Sequence, residues 1–249
     1  MSITREKKIL KTDRGYEIPC LDGSIPGQKA IIICLHGFGG SKRSSKIERL
    51  HEVMTRENVG TFTFDWPAHG ESRAEFADLT VENCLSDLED VYGFVKKEFD
   101  VPIWCFATSF GGYLAVLYIQ RHPEDFEKVM LRSPALKMAQ IMRGFMNEEQ
   151  FSMFMDGAPM DFGFDQPLIL KRDAYDDLCA HDAFTATLDH PERMMIIHGD
   201  KDDVVPPEDS KLFAERSGMK LRFLEGANHM YERPGDTEWV MDRAKEFYD

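Results

Sequence analysis

The stretch Ile103-Trp-Cys-Phe-Ala-Thr-Ser109-Phe-Gly-Gly112 decides how the rest of the chain is read. A β-prone apolar run, Ile103–Ala107, passes with almost no spacer into a helix-forming segment, Phe110–Arg121. A strand that turns directly into a helix needs residues with almost no side chain around its apex. The central serine is then held in a strained backbone conformation, its hydroxyl exposed and the next N–H aimed at the same space. Ala107-Thr-Ser109-Phe-Gly111 fits the pattern G-x-S-x-G of such a nucleophile elbow, with alanine at the first glycine. The same residues also suit a serine N-cap on a buried helix, and only context separates the two.

Working outward, strands and helices alternate. Ile3–Leu10 and Tyr16–Cys20 form an opening hairpin around Asp13-Arg14-Gly15. Ala30–Leu35 (AIIICL) is apolar throughout, as a strand covered on both faces must be. A helix is expected over about Ser45–Thr55, a strand over Thr61–Phe64, and an amphipathic helix over Val81–Phe99. Beyond the elbow come strands Val129–Arg132, Met194–His198 and Lys220–Leu224, with helices Glu208–Glu215 and Trp239–Tyr248. Such alternation implies βαβ crossovers and a mostly parallel sheet with helices on both faces, an α/β protein.

Residues 134–190 break the rhythm. Met138–Phe164 holds six Met and five Phe, with helical stretches interrupted by Gly144, Gly157, Pro159 and Gly163. A long connection of this kind suits a lid or binding loop. We read one domain over residues 1–249 with a helical cap inserted at about 135–190.

Two downstream loops complete the context. Met194–His198 leads into His198-Gly-Asp-Lys-Asp202-Asp-Val-Val-Pro206, and Lys220–Leu224 leads into Glu225-Gly-Ala-Asn-His229-Met230. A hydroxyl is a weak nucleophile near neutral pH and needs a neutral imidazole to take its proton. The imidazole in turn needs a carboxylate to fix its tautomer and stabilise its charged form. Ser109, Asp202 and His229 stand in that chain order, each after a strand.

With His36-Gly-Phe-Gly-Gly40 and Asp65-Trp-Pro-Ala-His-Gly-Glu-Ser72, these segments make four motifs. On them the chain resembles the α/β-hydrolases, in the bacterial serine-aminopeptidase-like esterase group that includes cinnamoyl or feruloyl esterases and monoacylglycerol lipases. Asp65–Ser72 is similar to that group's D-x-x-G-H-G-x-S, with Ala68 at the first glycine. The likeness spans roughly residues 5–134 and 190–249, and the cap corresponds in position only. It implies a doubly wound, eight-stranded sheet with a small helical cap and a catalytic set Ser109, Asp202 and His229. The pattern H-G-x-x-D-x-V/I-[VI]-P selects Asp202 over its neighbours Asp200 and Asp203, which otherwise read as a solvated acidic turn.

An attacked carbonyl develops negative charge that requires two preorganised donors. The backbone N–H of Phe110, at the positive end of its helix, is one. By resemblance, that of Phe38 is the other, brought close by a glycine-rich loop. The side chains of Phe38 and Phe110 are expected to flank the site, and Met138, Met142, Phe145 and Phe154 to line the substrate wall. His36 and His69 read as structural hydrogen-bonders, His198 as a half-buried, satisfied histidine, and Asp65 and Ser72 as braces of the loop beside the elbow.

The activity implied is a serine esterase cleaving a small carboxylic ester with an apolar or aromatic acyl group through an acyl-enzyme. The same three residues would serve peptide or thioester cleavage. A non-catalytic ligand-binding protein of this fold is the competing class.

The chain has 249 residues, 43% of them hydrophobic, and a formal charge of −14. This acidity disfavours nucleic-acid or anionic-membrane surfaces. The longest apolar stretches, Ala30–Leu35 and Tyr113–Ile119, are far short of the ~18 residues of a membrane span. Met1–Gly15 carries charges where a signal peptide needs an apolar core, so a cytoplasmic location is expected. Five cysteines without a C-x-x-C read as buried, reduced thiols. No metal cluster, P-loop or G-x-G-x-x-G is present, and no cofactor is expected.

Overall fold

A computed structural model of the chain describes residues 5–163 and 167–249. Ile3 and Thr4 of the expected first strand and Phe164 of the cap lie outside those residues. The chain opens with the hairpin β1 (Glu6–Lys11) and β2 (Glu17–Gly23), followed by β3 (Ala30–Leu35), α1 (Ser45–Met54) and β4 (Val59–Phe64). Next come α2 (Val81–Glu98), β5 (Ile103–Thr108), α3 (Phe110–Arg121) and β6 (Lys128–Arg132). The cap holds α4 (Met138–Gly144), α5 (Glu148–Met155), β7 (Met160–Asp161), β8 (Ile169–Leu170) and α6 (Arg172–Ala180). The chain then returns through β9 (Met194–Gly199), α7 (Pro207–Ser217), β10 (Lys220–Leu224) and α8 (Asp236–Tyr248).

Eight strands form one sheet in the order β1-β2-β4-β3-β5-β6-β9-β10. From β4 to β10 every neighbouring pair is parallel. Only the opening hairpin runs antiparallel. The uninterrupted hydrophobicity of β3 has its cause here. Ile31, Ile33 and Leu35 pack into the core with α2 and α3, while Ala30, Ile32 and Cys34 face the other core with α1 and α8. Sheet growth reverses at β3, which lies between β4 and β5. The loops leaving β3 and β5 therefore open into one crevice, the usual ligand position in such sheets.

Boundaries differ from expectation where pairing extends a strand. Val59 and Gly60 join β4 because they register with Ala30 and Ile31. α8 starts at Asp236 rather than Trp239, with Asp236 and Glu238 in its first turn complementing the helix dipole. Within the cap, α5 begins at a reciprocal capping box between Asn147 and Gln150. The two-residue strands β7 and β8 pair antiparallel below it in the chain order. Four of the cysteines are buried, whereas Cys179 is exposed on α6, a correction to the all-buried expectation.

Candidate active site

Ser109 is the single residue between β5 and α3, and its backbone sits at φ 52°, ψ −116°. This conformation costs an L-residue ~1–3 kcal/mol and persists only where its surroundings impose it. Ser109 N–H donates to the Arg132 carbonyl at 2.9 Å, and the Ser109 carbonyl accepts from Tyr113 N at 3.1 Å and Ala135 N at 3.0 Å. Gly111 is required by close approach: a Cβ there would stand 2.7 Å from the carbonyl oxygens of Leu35 and His36. Ala107 is fully buried between Leu35 of β3 and Leu131 of β6.

Asp202 follows β9 and His229 follows β10. His229 Nδ1 hydrogen-bonds Asp202 Oδ2 at 2.7 Å. Asp202 Oδ1 accepts from Val204 N at 3.0 Å and Val205 N at 2.7 Å. Burial disfavours the Asp202 carboxylate, but hydrogen bonds from His198, His229 and Val205 outweigh it and hold its pKa well below the usual range. The permanent carboxylate sets the His229 tautomer with its proton on Nδ1, leaving Nε2 as the basic nitrogen. Asp200 instead accepts from Gly226 N, bracing the turn before His229, and Asp203 is exposed.

Ser109 and His229 line the same cleft, of about 370 Å³. Phe38, Met138, Met142 and Phe145 line it, together with Ile141 and Phe162. Phe154 does not. It lies on the buried face of α5, 2% exposed, edge-to-face on Tyr175 at 5.6 Å, so its expected place in the substrate wall is corrected. The Phe110 ring is likewise buried in the core, packed against Phe38, Trp66, His69 and Tyr113. Phe110 thus presents only its backbone near the serine, at the first position of α3, where a helix leaves its N–H without an intrahelical acceptor.

The loop after β3, His36–Gly40 with Lys42, and the loop Asp65–Ser72 are tied together. Asp65 accepts from Lys42 N at 2.7 Å and Glu71 N at 2.8 Å, and pairs with the Lys42 ammonium. Gly70 sits at φ 55°, where a Cβ would be 2.4 Å from that carboxylate. Ala68 takes φ 59°, so alanine here adopts a conformation that favours glycine. His36 donates from Nδ1 to the Gly37 carbonyl at 2.8 Å and accepts Trp66 N–H at Nε2, 3.2 Å. Ser72 accepts only locally, from Ala74 N.

His198 is more than the half-buried bystander expected. It is fully buried, with Nδ1 2.8 Å from Ser210 Oγ and Nε2 3.0 Å from Asp202 Oδ2. Arg132 and Lys46, which also line the cleft, were not anticipated from sequence. Among the described residues no group of three His, Cys, Asp or Glu could hold a metal ion, and no helix is long and apolar enough to cross a membrane.

A family model described as serine aminopeptidase, S33, matches residues 26–190, well over half the chain. The chain belongs to that family. Monoglyceride lipase of Rattus norvegicus is 28% identical over 112 residues, 43% of this chain and 36% of that protein. Protein phosphatase methylesterase 1 of Candida albicans is 31% identical over 103 residues, 41% of this chain and 28% of that protein. The chain thus spans roughly a third of the length of these curated relatives. Among solved structures, Est1E from Butyrivibrio proteoclasticus with ferulic acid bound superposes with TM-score 0.83 at 24% identity, over 97% of each chain. A soluble variant of monoglyceride lipase from Saccharomyces cerevisiae, in complex with a substrate analogue, gives 0.78 at 16% identity, over 100% of this chain and 96% of that chain. These likenesses show a serine-hydrolase-type α/β fold, and the curated relatives include proteins named as a lipase and a methylesterase.

Proposed function

We propose that the protein hydrolyses a small carboxylic ester with an apolar or aromatic acyl group, through an acyl-enzyme on Ser109. The observation that carries this reading is the 2.7 Å bond from His229 Nδ1 to Asp202, with His229 sharing an apolar-walled cleft with the strained Ser109. Ser109 Oγ attacks the carbonyl carbon while its proton passes to His229 Nε2. The oxyanion that forms is held by the N–H groups of Phe110 and Phe38. Collapse breaks the ester C–O bond, and the departing alcohol takes the proton from His229. Water then attacks the acyl-enzyme with His229 as base, releasing the acid and restoring the serine.

Two relatives are named for ester cleavage, a monoglyceride lipase and a methylesterase, which favours esters over peptides. A cleft walled by Met138, Ile141, Met142, Phe145 and Phe162 suits an apolar acyl group, since methionine adapts its shape to what it covers. A binding protein of this fold has no need for serine, histidine and carboxylate together.

A fluorophosphonate probe should label the wild-type chain, and Ser109→Ala should abolish both labelling and ester hydrolysis while leaving the fold intact. Loss of the nucleophile costs on the order of 10⁴–10⁶ in turnover. A variant keeping more than a tenth of wild-type activity would refute the assignment. Nitrophenyl, hydroxycinnamoyl, glyceryl, thioester and aminoacyl-anilide substrates, compared by kcat/KM, separate ester from thioester and peptide cleavage.

A further inference from the structure

Among the described residues, six charged residues other than histidine are buried: Lys42, Asp65, Asp87, Arg132, Asp209 and Asp236. Five of them are in ion pairs, Lys42 with Asp65, Asp87 with Arg14, Asp209 with Lys137 and Asp236 with Arg233. Arg132, only 6% exposed, has no carboxylate within ion-pair distance among the described residues, and the Asp202 carboxylate whose charge acts on it is already bonded to His198 and His229. Its Nη1 donates to the His229 carbonyl at 2.8 Å, and its guanidinium lies 5.0 Å from the centre of the Tyr231 ring. Its Nε is buried with no hydrogen-bond partner among the described residues. A buried cation without a bonded carboxylate of its own is costly, and in a chain of formal charge −14 carboxylate partners are plentiful.

Arg132 lines the cleft together with Ser44, Ser45 and Lys46. These three are the N-cap and first two residues of the ten-residue helix α1, and the Ser44 side chain makes no capping bond. The first-turn N–H groups of a helix lack intrahelical acceptors and favour negative charge. Lys46 is also without an ion pair among the described residues. The acids that influence it are engaged elsewhere, Asp236 with Arg233 and Glu232 with the Asn228 amide.

We propose that this end of the cleft is an anion subsite, in which Lys46, Arg132 and the first turn of α1 bind a carboxylate carried by the substrate's leaving group. The assignment to the leaving group rests on the ester-hydrolase reading of Ser109. In that reading His229 passes a proton to the departing alcohol, and Arg132 is bonded to the backbone carbonyl of that same residue, whereas the cap supplies the apolar wall for the acyl group. The substrate class is accordingly an ester of an apolar acid with a hydroxy acid.

The test compares 3-(butanoyloxy)benzoate with the neutral 3-(butanoyloxy)benzamide, each rate normalised to its hydroxide-catalysed hydrolysis. The wild-type chain should prefer the benzoate in kcat/KM by on the order of tenfold, a typical gain for a charge-assisted hydrogen bond. Lys46→Met, at a partly exposed position, should remove most of that preference, and Arg132→Gln should reduce it further. Equal kcat/KM for the two esters in the wild type, or a preference unmoved by Lys46→Met, overturns the subsite. Hydrolysis of the benzamide ester that depends on Ser109 then leaves the esterase reading standing.

Calorimetric binding of 3-hydroxybenzoate and 3-hydroxybenzamide to Ser109→Ala separates the two claims further. Tighter binding of the benzoate that is lost on adding Lys46→Met upholds the subsite even where no ester is cleaved. Equal affinities overturn it.

Discussion

His198 Nε2 lies 3.0 Å from the Oδ2 of Asp202, the same oxygen that receives His229 Nδ1 at 2.7 Å. The contact also fixes the His198 tautomer. Its Nε2 lies 3.1 Å from the Val205 carbonyl, which can only accept, so Nε2 carries the proton and Nδ1 faces the Ser210 hydroxyl. The candidate acid is thus held by two imidazoles and two backbone N–H groups, which keep it ionised and aimed at His229.

His198→Ala should lower kcat on nitrophenyl butanoate on the order of tenfold, because Asp202 loses one of the donors that orient it. His198→Gln, which can return an N–H to the carboxylate, should recover part of the loss. Equal kcat for Ala and Gln would make the histidine a packing residue only.

Among the three acids of the loop after β9, Asp202→Asn should be the damaging change, lowering kcat on the order of 10⁴ by releasing the His229 tautomer. Asp203→Asn, at an exposed position, should leave kcat within about twofold of wild type. Asp200→Asn loosens the turn through Gly226 and should fall between. Steady-state kinetics on the three variants decide the acid, and either neighbour proving worse than Asp202→Asn would show the wrong one chosen.

Two neutral histidines make the fold acid-sensitive. Burial lowers the His36 pKa to about 4 and the His69 pKa to about 3, against 6.5 for an exposed histidine. The unfolded chain therefore binds protons first, so their contribution is full above about pH 6.5 and is lost as the pH falls towards 4. Each is worth on the order of 2 kcal/mol by pH 5. His69→Phe keeps a ring against Phe110 and removes one titrating group, so its urea midpoint should fall less between pH 7 and 5 than that of the wild type. Comparing the two chains cancels groups common to both, including Asp87, whose carboxyl is raised by burial to about 6 and acts in the opposite direction. Parallel midpoint curves would remove His69 as a source of acid sensitivity.

The elbow was legible because its constraints are local and steric. An apolar strand, a serine and Gly111 against β3 leave little freedom, and Ala68 marks a glycine-like backbone even without glycine. The order of Asp202 and His229 was legible because each stands in a loop just past a strand, β9 buried throughout and β10 at the sheet edge. His198 was not, since a histidine at a strand end looks the same whether it packs or donates to a carboxylate four residues on. Arg132 was hidden for a related reason: on a short strand nothing in the sequence says which end of the cleft a long side chain reaches. Phe154 and Phe145 differ only in which way their segments face, and that is set by tertiary packing against Tyr175 and Phe162, which residue spacing in broken helices does not encode.

That difference gives the last prediction. Phe145 lines the cleft and is 49% exposed, so Phe145→Ala should cost about 1 kcal/mol or less in stability. Phe154, 2% exposed, belongs to the cap's own core, and Phe154→Ala should cost ~3–5 kcal/mol. In catalysis the ranking reverses. Each methylene of an acyl chain buried against the wall gains ~0.8 kcal/mol, about fourfold in kcat/KM, until the cleft is full. The wild type should therefore gain efficiency from acetate through the first few carbons and lose it beyond. Phe145→Ala should shift that optimum to longer chains, because the space vacated by the ring admits further carbons. Phe154→Ala, assayed below its unfolding transition, should keep the wild-type optimum. Nitrophenyl esters of increasing acyl length and chemical denaturation supply both measurements. A chain-length optimum that moves with Phe154 and not with Phe145 would place the acyl group in the interior of the cap instead of beneath it.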